Sequence, residues 1–371
     1  MEELNKYEQK FIDFIRGITK QDKIALFHDV DGDGIPAAAI TINALKRLGL
    51  KVDMVIGKGR EELTPSEETI KQLKDGKITV LITLDKPTDK NPKAIIEISK
   101  FAKILVVDHH SREAQIDIDD KKVLIFKPQF FTNHPPAPYA TAKIVFDYFS
   151  KIVDITDLDW IACAGTMSDA GDVYWRDFIK QIQSKYGFEG DDPWKTDLEK
   201  VVGYMSHTEC YKKGYYTKAL SALAKSKSPK DFLKSDVKKY FDAVNKEVTS
   251  YIQNVKKNAE FKDDLIYYEI NPKYNIKTIV STVLSIRFYP DKTLIVVVNN
   301  DNPKLSISFR RHDGKKDMVK LSKESLKGLT DAVPGGHIPA AGGSVWKEKL
   351  GDFKRKVIEL NSSGIADIKQ A

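Results

Sequence analysis

Four short apolar runs, separated by stretches of helical periodicity, do most to limit what this chain can fold into. They are KIALFHDV (23–30), KVDMVIG (51–57), KITVLITLD (77–85) and AKILVVD (102–108). KITVLITLD and AKILVVD are near-continuous β-branched runs, the character of strands covered on both faces. IPAAAITINALKRLG (35–49) and TPSEETIKQLKDG (64–76) fall between the apolar runs and read as helices, the second opened by a capping residue. A strand–helix–strand rhythm of this kind predicts an α/β domain with a mostly parallel sheet and helices on both sides. KKVLIF (121–126) adds a short strand, and ATAKIVFDYFSKI and DLDWIACAGTMSD add helices that close the domain near Asp172.

The strand rhythm then stops. Lys and Tyr become frequent through CYKKGYYTKALSALAKSKSPKDFLKSDVKKYFDAVNKEV, which reads as a helical segment running into a long amphipathic helix. Strands return in DDLIYYEI, TLIVVVNN and KLSISFRR, followed by the glycine-rich VPGGHIPAAGGSV and a short final helix. The expected organisation is a first domain over 1–172, a helical insert and linker helix over 173–258, and a smaller α/β domain over 259–371. The last few residues are expected to be unstructured.

Composition narrows the class. With 41% hydrophobic and 30% charged residues among 371, the chain is globular and long enough for two domains. No apolar run reaches the length of a membrane span, and the start MEELNKYEQKFIDFIRG reads as an amphipathic helix with Phe11, Phe14 and Ile15 on one side. Cys163 and Cys210 have neither pairing nor zinc spacing, so they read as structural and point to a reducing cytoplasm. The net charge of +7 suits a phosphate-bearing partner without demanding one.

Acid is concentrated at the strand ends. The first strand delivers Asp29, Asp31 and Asp33 beside His28, the third ends on Asp85, and the fourth on Asp108, His109 and His110. Parallel sheets place ligand sites outside the carboxyl ends of their strands, so these side chains are expected in one crevice. Asp169, in the loop GTMSDAGD, is expected beside it. Like charges packed this closely destabilise one another unless a cation or proton sits among them. Carboxylates with one or two imidazoles suit Mn²⁺ or Mg²⁺ better than zinc, and this many suit two ions about 3.5–4 Å apart. Such a centre is built for phosphate ester hydrolysis. DVDGDGIPAAAI is not an EF-hand, because it lacks the closing glutamate.

DVDGDG, LITLD, VVDHHS and GTMSD, in this order, resemble the four motifs of the DHH phosphoesterase superfamily. GGHIPAAGGSV and SISFR resemble the glycine-rich motif and the Ser-x-Arg strand of the associated C-terminal DHHA1 domain. The resemblance implies a two-Mn²⁺ site, with Mg²⁺ as a possible substitute. Asp33, Asp85, His109 and Asp169 would surround one ion; Asp31 and Asp85 would hold the other with Asp29, as in RecJ-type exonucleases, or with His28. Asp108 would orient a histidine and His110 would contact the scissile phosphate. In the second domain Gly335 and Gly336 would let backbone approach the substrate, where Arg310 and His337 would hold a phosphate or a base. The implied activity is removal of nucleotides from single-stranded DNA or RNA in the cleft between the domains. Its alternative is hydrolysis of short substrates: oligoribonucleotides, phosphoadenosine phosphate, or linear or cyclic dinucleotides. A replication scaffold without turnover is the non-enzymatic reading. A homodimer or a replication or repair partner is compatible with each.

Overall fold

The computed structural model describes residues 2–110 and 122–368. The chain divides into two compact units, Met1–Phe241 and Asp242–Ala371. In the first, β1 (Ile24–Asp29), β2 (Val52–Lys58), β3 (Val80–Leu84), β4 (Lys103–Val107) and β5 (Val123–Phe126) form a sheet in the order β2-β1-β3-β4-β5. Every pairing in it is parallel, in keeping with the buried character of the runs. Alternation along the strands sends Leu26, Ile82, Leu105 and Phe126 to one face and Phe27, Leu81, Val106 and Ile125 to the other. The first face is covered by helices Glu2–Arg16, Gly34–Arg47, Thr141–Phe149 and Asp159–Ser168. Helices Glu67–Asp75 and Pro92–Ser99 cover the second. Phe11 and Ile15 of the first helix are buried as the periodicity predicts.

Helices Arg176–Tyr186, Asp197–Tyr211 and Tyr216–Lys225 enter the same apolar cluster through Ile179, Met205 and Leu223. Their packing therefore belongs to the first unit, and helix Lys238–Gln253 runs across the division. Both cysteines are free, and burial pushes the Cys210 thiol up to about 12, so it stays protonated. Among the described residues no helix is long and apolar enough to cross a membrane. Residues 369–371, where the sequence suggests an unstructured end, lie outside the described residues.

The register places the site. His28 pairs with Leu84, Leu84 with Val107, and Val107 with Phe126. The next residue on each strand is Asp29, Asp85, Asp108 and Lys127. Four ionisable groups thus stand on one row at the carboxyl end of the sheet, spanning the β1/β3 point at which strand order reverses.

The second unit has a six-stranded sheet in the order β10-β11-β9-β8-β7-β6. Its strands are β6 (Glu260–Lys262), β7 (Leu265–Ile270), β8 (Thr293–Val298), β9 (Lys304–Arg310), β10 (Gly335–His337) and β11 (Ala340–Trp346). Only β7 and β8 run parallel. Leu321, Phe353 and Val357, from helices Met318–Leu326 and Leu350–Ser362, pack with Ile295, Ile307 and Phe309. The sequence reading did not anticipate helix Met318–Leu326, nor that the glycine-rich stretch forms strands. That stretch is a hairpin of β10 and β11. Gly336, at φ +147°, is required by the hairpin itself, because a Cβ there would stand 2.3 Å from the Ala340 carbonyl oxygen. Gly335 has nothing within 4 Å of such a Cβ.

Candidate metal centre

Asp33 begins helix Gly34–Arg47 and serves another helix as well. Thr141–Phe149 has no capping side chain of its own. Asp33 supplies the cap: Oδ2 accepts the Thr141 N–H at 2.6 Å and Oδ1 the Ala142 N–H at 2.8 Å. A carboxylate held at a helix N-terminus in this way contributes up to about 2 kcal/mol. Asp33 is thereby fixed at the crevice by packing beneath it. Gly165, in helix Asp159–Ser168, permits that packing, since a Cβ there would meet the Ala142 Cβ at 2.4 Å and Asp33 Oδ1 at 3.1 Å. Alanine would gain about 1 kcal/mol of helix propensity, whereas overpacking costs about 1–3 kcal/mol. Because the obstructing atom is a Cβ close to its own backbone, the second effect should win. Gly165→Ala is expected to lower the urea midpoint and weaken divalent-ion affinity together; a higher midpoint would refute the packing argument.

Asp85 follows β3 in the left-handed region, at φ +56°, with its N–H donating to the Val107 carbonyl at 3.0 Å. Its side chain is buried and accepts from Thr141 Oγ1 at 3.4 Å. Strained backbone of this kind concentrates at functional sites. His109 Nδ1 lies 3.3 Å from the Pro136 carbonyl. As the donor there, it turns Nε2 toward Asp169 Oδ2 at 3.0 Å and Asp85 Oδ1 at 3.6 Å. One ligand atom each from Asp33, His109 and Asp169 falls within 4.8 Å of the others, and the same holds for Asp85, His109 and His110. His109 belongs to both groups. The sequence reading set His110 against a phosphate; here its Nδ1 also lies 3.9 Å from Asp85 Oδ1 and 2.7 Å from Asp108 Oδ1.

Asp29 and Asp31 belong to neither group among the described residues. Asp31 Oδ1 accepts the N–H groups of Asp33 and Gly34, both at 3.0 Å. Asp29 Oδ2 is held at 2.8 Å by Lys86 Nζ, a fully buried ammonium that also donates to the Gly59 carbonyl at 3.0 Å. His28 is buried edge-on against Tyr216, ring centroids 5.2 Å apart, with Nδ1 2.6 Å from the Asp29 carbonyl. Burial lowers its pKa to about 4, so the ring is neutral. Asp29, unlike His28, is among the charges that bear on Asp85.

The electrostatics show what the cluster is short of. Burial, then the carboxylates of Asp33, Asp31, Asp29 and Asp169, hold Asp85 well above the ordinary carboxylate range. Burial and Asp169 push Asp33 up to about 8, and burial and Asp31 push Asp29 up to about 6 despite Lys86. Burial opposes charge on His109, but Asp169, Asp33 and Asp108 outweigh it and raise its pKa. Buried oxygen donors with too little positive charge among them fit a hard divalent cation.

In the second unit Arg310 pairs with Ala340 across β9 and β11, and Ala340 with His337 across β11 and β10. The two residues therefore share one level of the sheet. The Arg310 guanidinium is buried and donates to the Phe309 and Ala341 carbonyls at 3.2 and 3.4 Å, whereas His337 and Gly336 are exposed.

Sequence reasoning missed Lys86, Asp89 and Lys127. The rule that found the acids would have found Lys127, which ends the fifth run in LIFKP just as Asp108 ends the fourth.

A model of the DHH family's N-terminal domain matches residues 23–166. The single-stranded-DNA-specific exonuclease RecJ of Bacillus subtilis (strain 168) is 19% identical over 388 residues, covering 95% of this chain and 47% of that protein. The chain thus spans about half the length of that curated relative. RecJ of Thermus thermophilus, solved in complex with Mn²⁺, superposes with a TM-score of 0.72 at 15% identity, over 99% of this chain and 56% of the other. An exonuclease RecJ bound to manganese superposes at 0.70 and 16% identity, over 96% and 94%. These likenesses establish the fold, and the matched segment holds every acidic strand end described above. Residues 23–166 carry the N-terminal domain of the DHH family, in a chain whose fold resembles that of the RecJ structures.

Proposed function

We propose that this chain is a Mn²⁺-dependent phosphodiesterase that shortens single-stranded DNA or RNA. The observation that carries the reading is the row Asp29, Asp85 and Asp108 at the strand ends, with Asp33, His109 and Asp169 converging beside it. Asp33, Asp85, His109 and Asp169 would hold one ion, and Asp31, Asp85 and Asp29 a second. Mn²⁺, or Mg²⁺ in its place, supplies hydroxide at neutral pH and offsets charge on the phosphate. The chain's own groups do the rest. Asp33 and Asp85 bring negative charge to fixed points, and the Pro136 carbonyl sets the tautomer in which His109 presents Nε2. His110, partly exposed and bonded to Asp108, would meet a phosphate oxygen. Arg310 and His337, with Gly335 and Gly336, would hold a phosphate or a base of the strand. The Mn²⁺ complex of the Thermus RecJ supports the choice of ion.

The test is a Mn²⁺-dependent digestion series on end-labelled DNA and RNA, from dinucleotides to strands of about thirty nucleotides. Asp85→Asn and His109→Ala serve as blanks. Stepwise shortening of the long strands is expected, with the labelled end reporting polarity. Turnover confined to di- to pentanucleotides would replace the exonuclease with the short-substrate reading. No turnover on any substrate, with metal demonstrably bound, would leave a scaffold and overturn the proposal.

A further inference from the structure

We infer that Lys127 sets the position of His110, acting through Asp108 and anchored by Asp89. The inference rests on the phosphodiesterase reading above, in which His110 meets the substrate phosphate. β5 delivers Lys127 to the row that carries Asp85 and Asp108, and its side chain is completely buried. Its Nζ lies 2.8 Å from Asp89 Oδ1, 2.9 Å from Asp108 Oδ2 and 3.1 Å from the His110 carbonyl oxygen. Of the three oxygens around the ammonium, the His110 carbonyl accepts a hydrogen bond, whereas Asp89 Oδ1 and Asp108 Oδ2 are held as ion pairs.

Those oxygens are not equivalent. Asp108 spends its other oxygen, Oδ1, on the His110 ring at 2.7 Å and on the His110 backbone N–H at 3.3 Å. Lys127 therefore grips His110 twice, directly at its carbonyl and, through one carboxylate, at its ring and amide. With Oδ2 held in the ion pair with Lys127, the Asp108 carboxylate is kept facing the imidazole, which it holds by Nδ1. An aspartate that fixes a catalytic imidazole's tautomer and orientation is a recurring device; here a lysine fixes the aspartate. Asp89, in the turn Thr88–Lys90 that follows Asp85, is the ammonium's second carboxylate partner and is itself buried. Lys86, the neighbouring buried ammonium, engages Asp29 and Gly59 instead. The competing view is that Lys127 only neutralises two buried carboxylates. That view predicts a change in stability and no specific change at the His110 ring.

The experiment uses the full chain with Mn²⁺ and a single-stranded oligonucleotide of about thirty nucleotides, comparing wild type with Lys127→Met. The expected result is a fall in kcat of about 10–100-fold, with KM and Mn²⁺ affinity within about twofold. A second readout does not depend on turnover. In ¹⁵N-detected spectra of the metal-free protein, the His110 ring is expected as a single Nδ1-protonated tautomer, assigned by its loss in His110→Gln. Lys127→Met is expected to convert it to a tautomer mixture. If Lys127→Met fails to fold, Asp89→Asn/Lys127→Met, which removes one charge of each sign, carries both readouts. A folded variant with unchanged kcat and an unchanged ring signal would overturn the inference. Absence of turnover in wild type would instead count against the phosphodiesterase reading, and the ring signal would still decide whether Lys127 positions His110.

Discussion

Asp85→Asn is expected to reduce phosphodiester hydrolysis by about a thousandfold, the equivalent of about 4 kcal/mol, while leaving the metal-free protein no less stable than wild type. Asparagine keeps the shape of the side chain and tolerates the left-handed backbone that Asp85 adopts, so the change isolates the charge. That charge serves the bound ion and burdens the empty fold, since Asp85 is buried among Asp33, Asp31, Asp29 and Asp169. Its removal should therefore act in opposite directions on activity and on stability in chelator, with the stability gain growing as pH rises. A residue that merely supports the fold would lose both together. Turnover within about tenfold of wild type, or a variant less stable in chelator, would sink the assignment of Asp85 as the central ligand.

The second large effect is the pH dependence of stability without metal. Asp33 titrates at about 8 in the folded chain and Asp29 at about 6, and Asp85 is also raised; in the unfolded chain each titrates near its ordinary value of 3.8. Between those limits the folded state holds protons that the unfolded state has released, so stability falls as pH rises from about 4 to about 8. Asp33 alone corresponds to on the order of 5 kcal/mol across that window. Asp108 works the other way. Burial would raise its pKa, but the hydrogen bond from His110 and the charges of His110 and Lys127 outweigh burial and lower it. Its contribution is present above pH 4 and is lost in acid. A divalent ion needs the ionised carboxylates, so stabilisation by Mn²⁺ should grow over the same window in which the metal-free protein weakens. Thermal melts at pH 5, 7 and 8.5 are expected to show a metal-free midpoint falling by on the order of 10 °C, largely restored by Mn²⁺. A midpoint that stays flat in chelator, or a Mn²⁺ effect independent of pH, would show that the carboxylates are not mutually destabilised.

The acidic strand ends were legible in the sequence for a specific reason. A strand covered on both faces leaves a nearly unbroken apolar run, so the first charged residue after it marks the strand's end, and parallel topology puts all such ends on one side. Asp85 and Asp108 follow directly from LITL and LVV. Gly336 was legible as a glycine with a purpose but not as to which, because the Ala340 carbonyl that excludes a Cβ comes near only when the hairpin forms. The buried lysines were harder. Lysine is almost always exposed; nothing local distinguishes Lys86 from the chain's many solvated ammonium groups, and the position after LIF marks Lys127 as a strand end but not as buried. Each is buried because a carboxylate waits for it, and those partners lie far away in sequence: Asp29 for Lys86, Asp89 and Asp108 for Lys127.

By itself, then, the amino-acid sequence determined the alternation of strands and helices, the sheet's parallel character and the identity of the acids at its edge, since all of these follow from local patterns of burial and charge. Only the tertiary structure decided the row. Strand register sets Asp29, Asp85, Asp108 and Lys127 side by side, and helix Thr141–Phe149 docks on Asp33. The same packing turns one lysine toward the histidine it holds in place. Register and docking are settled by apolar contacts between segments remote in the chain, and a charge pair buried by that packing exists only once both of its halves have arrived.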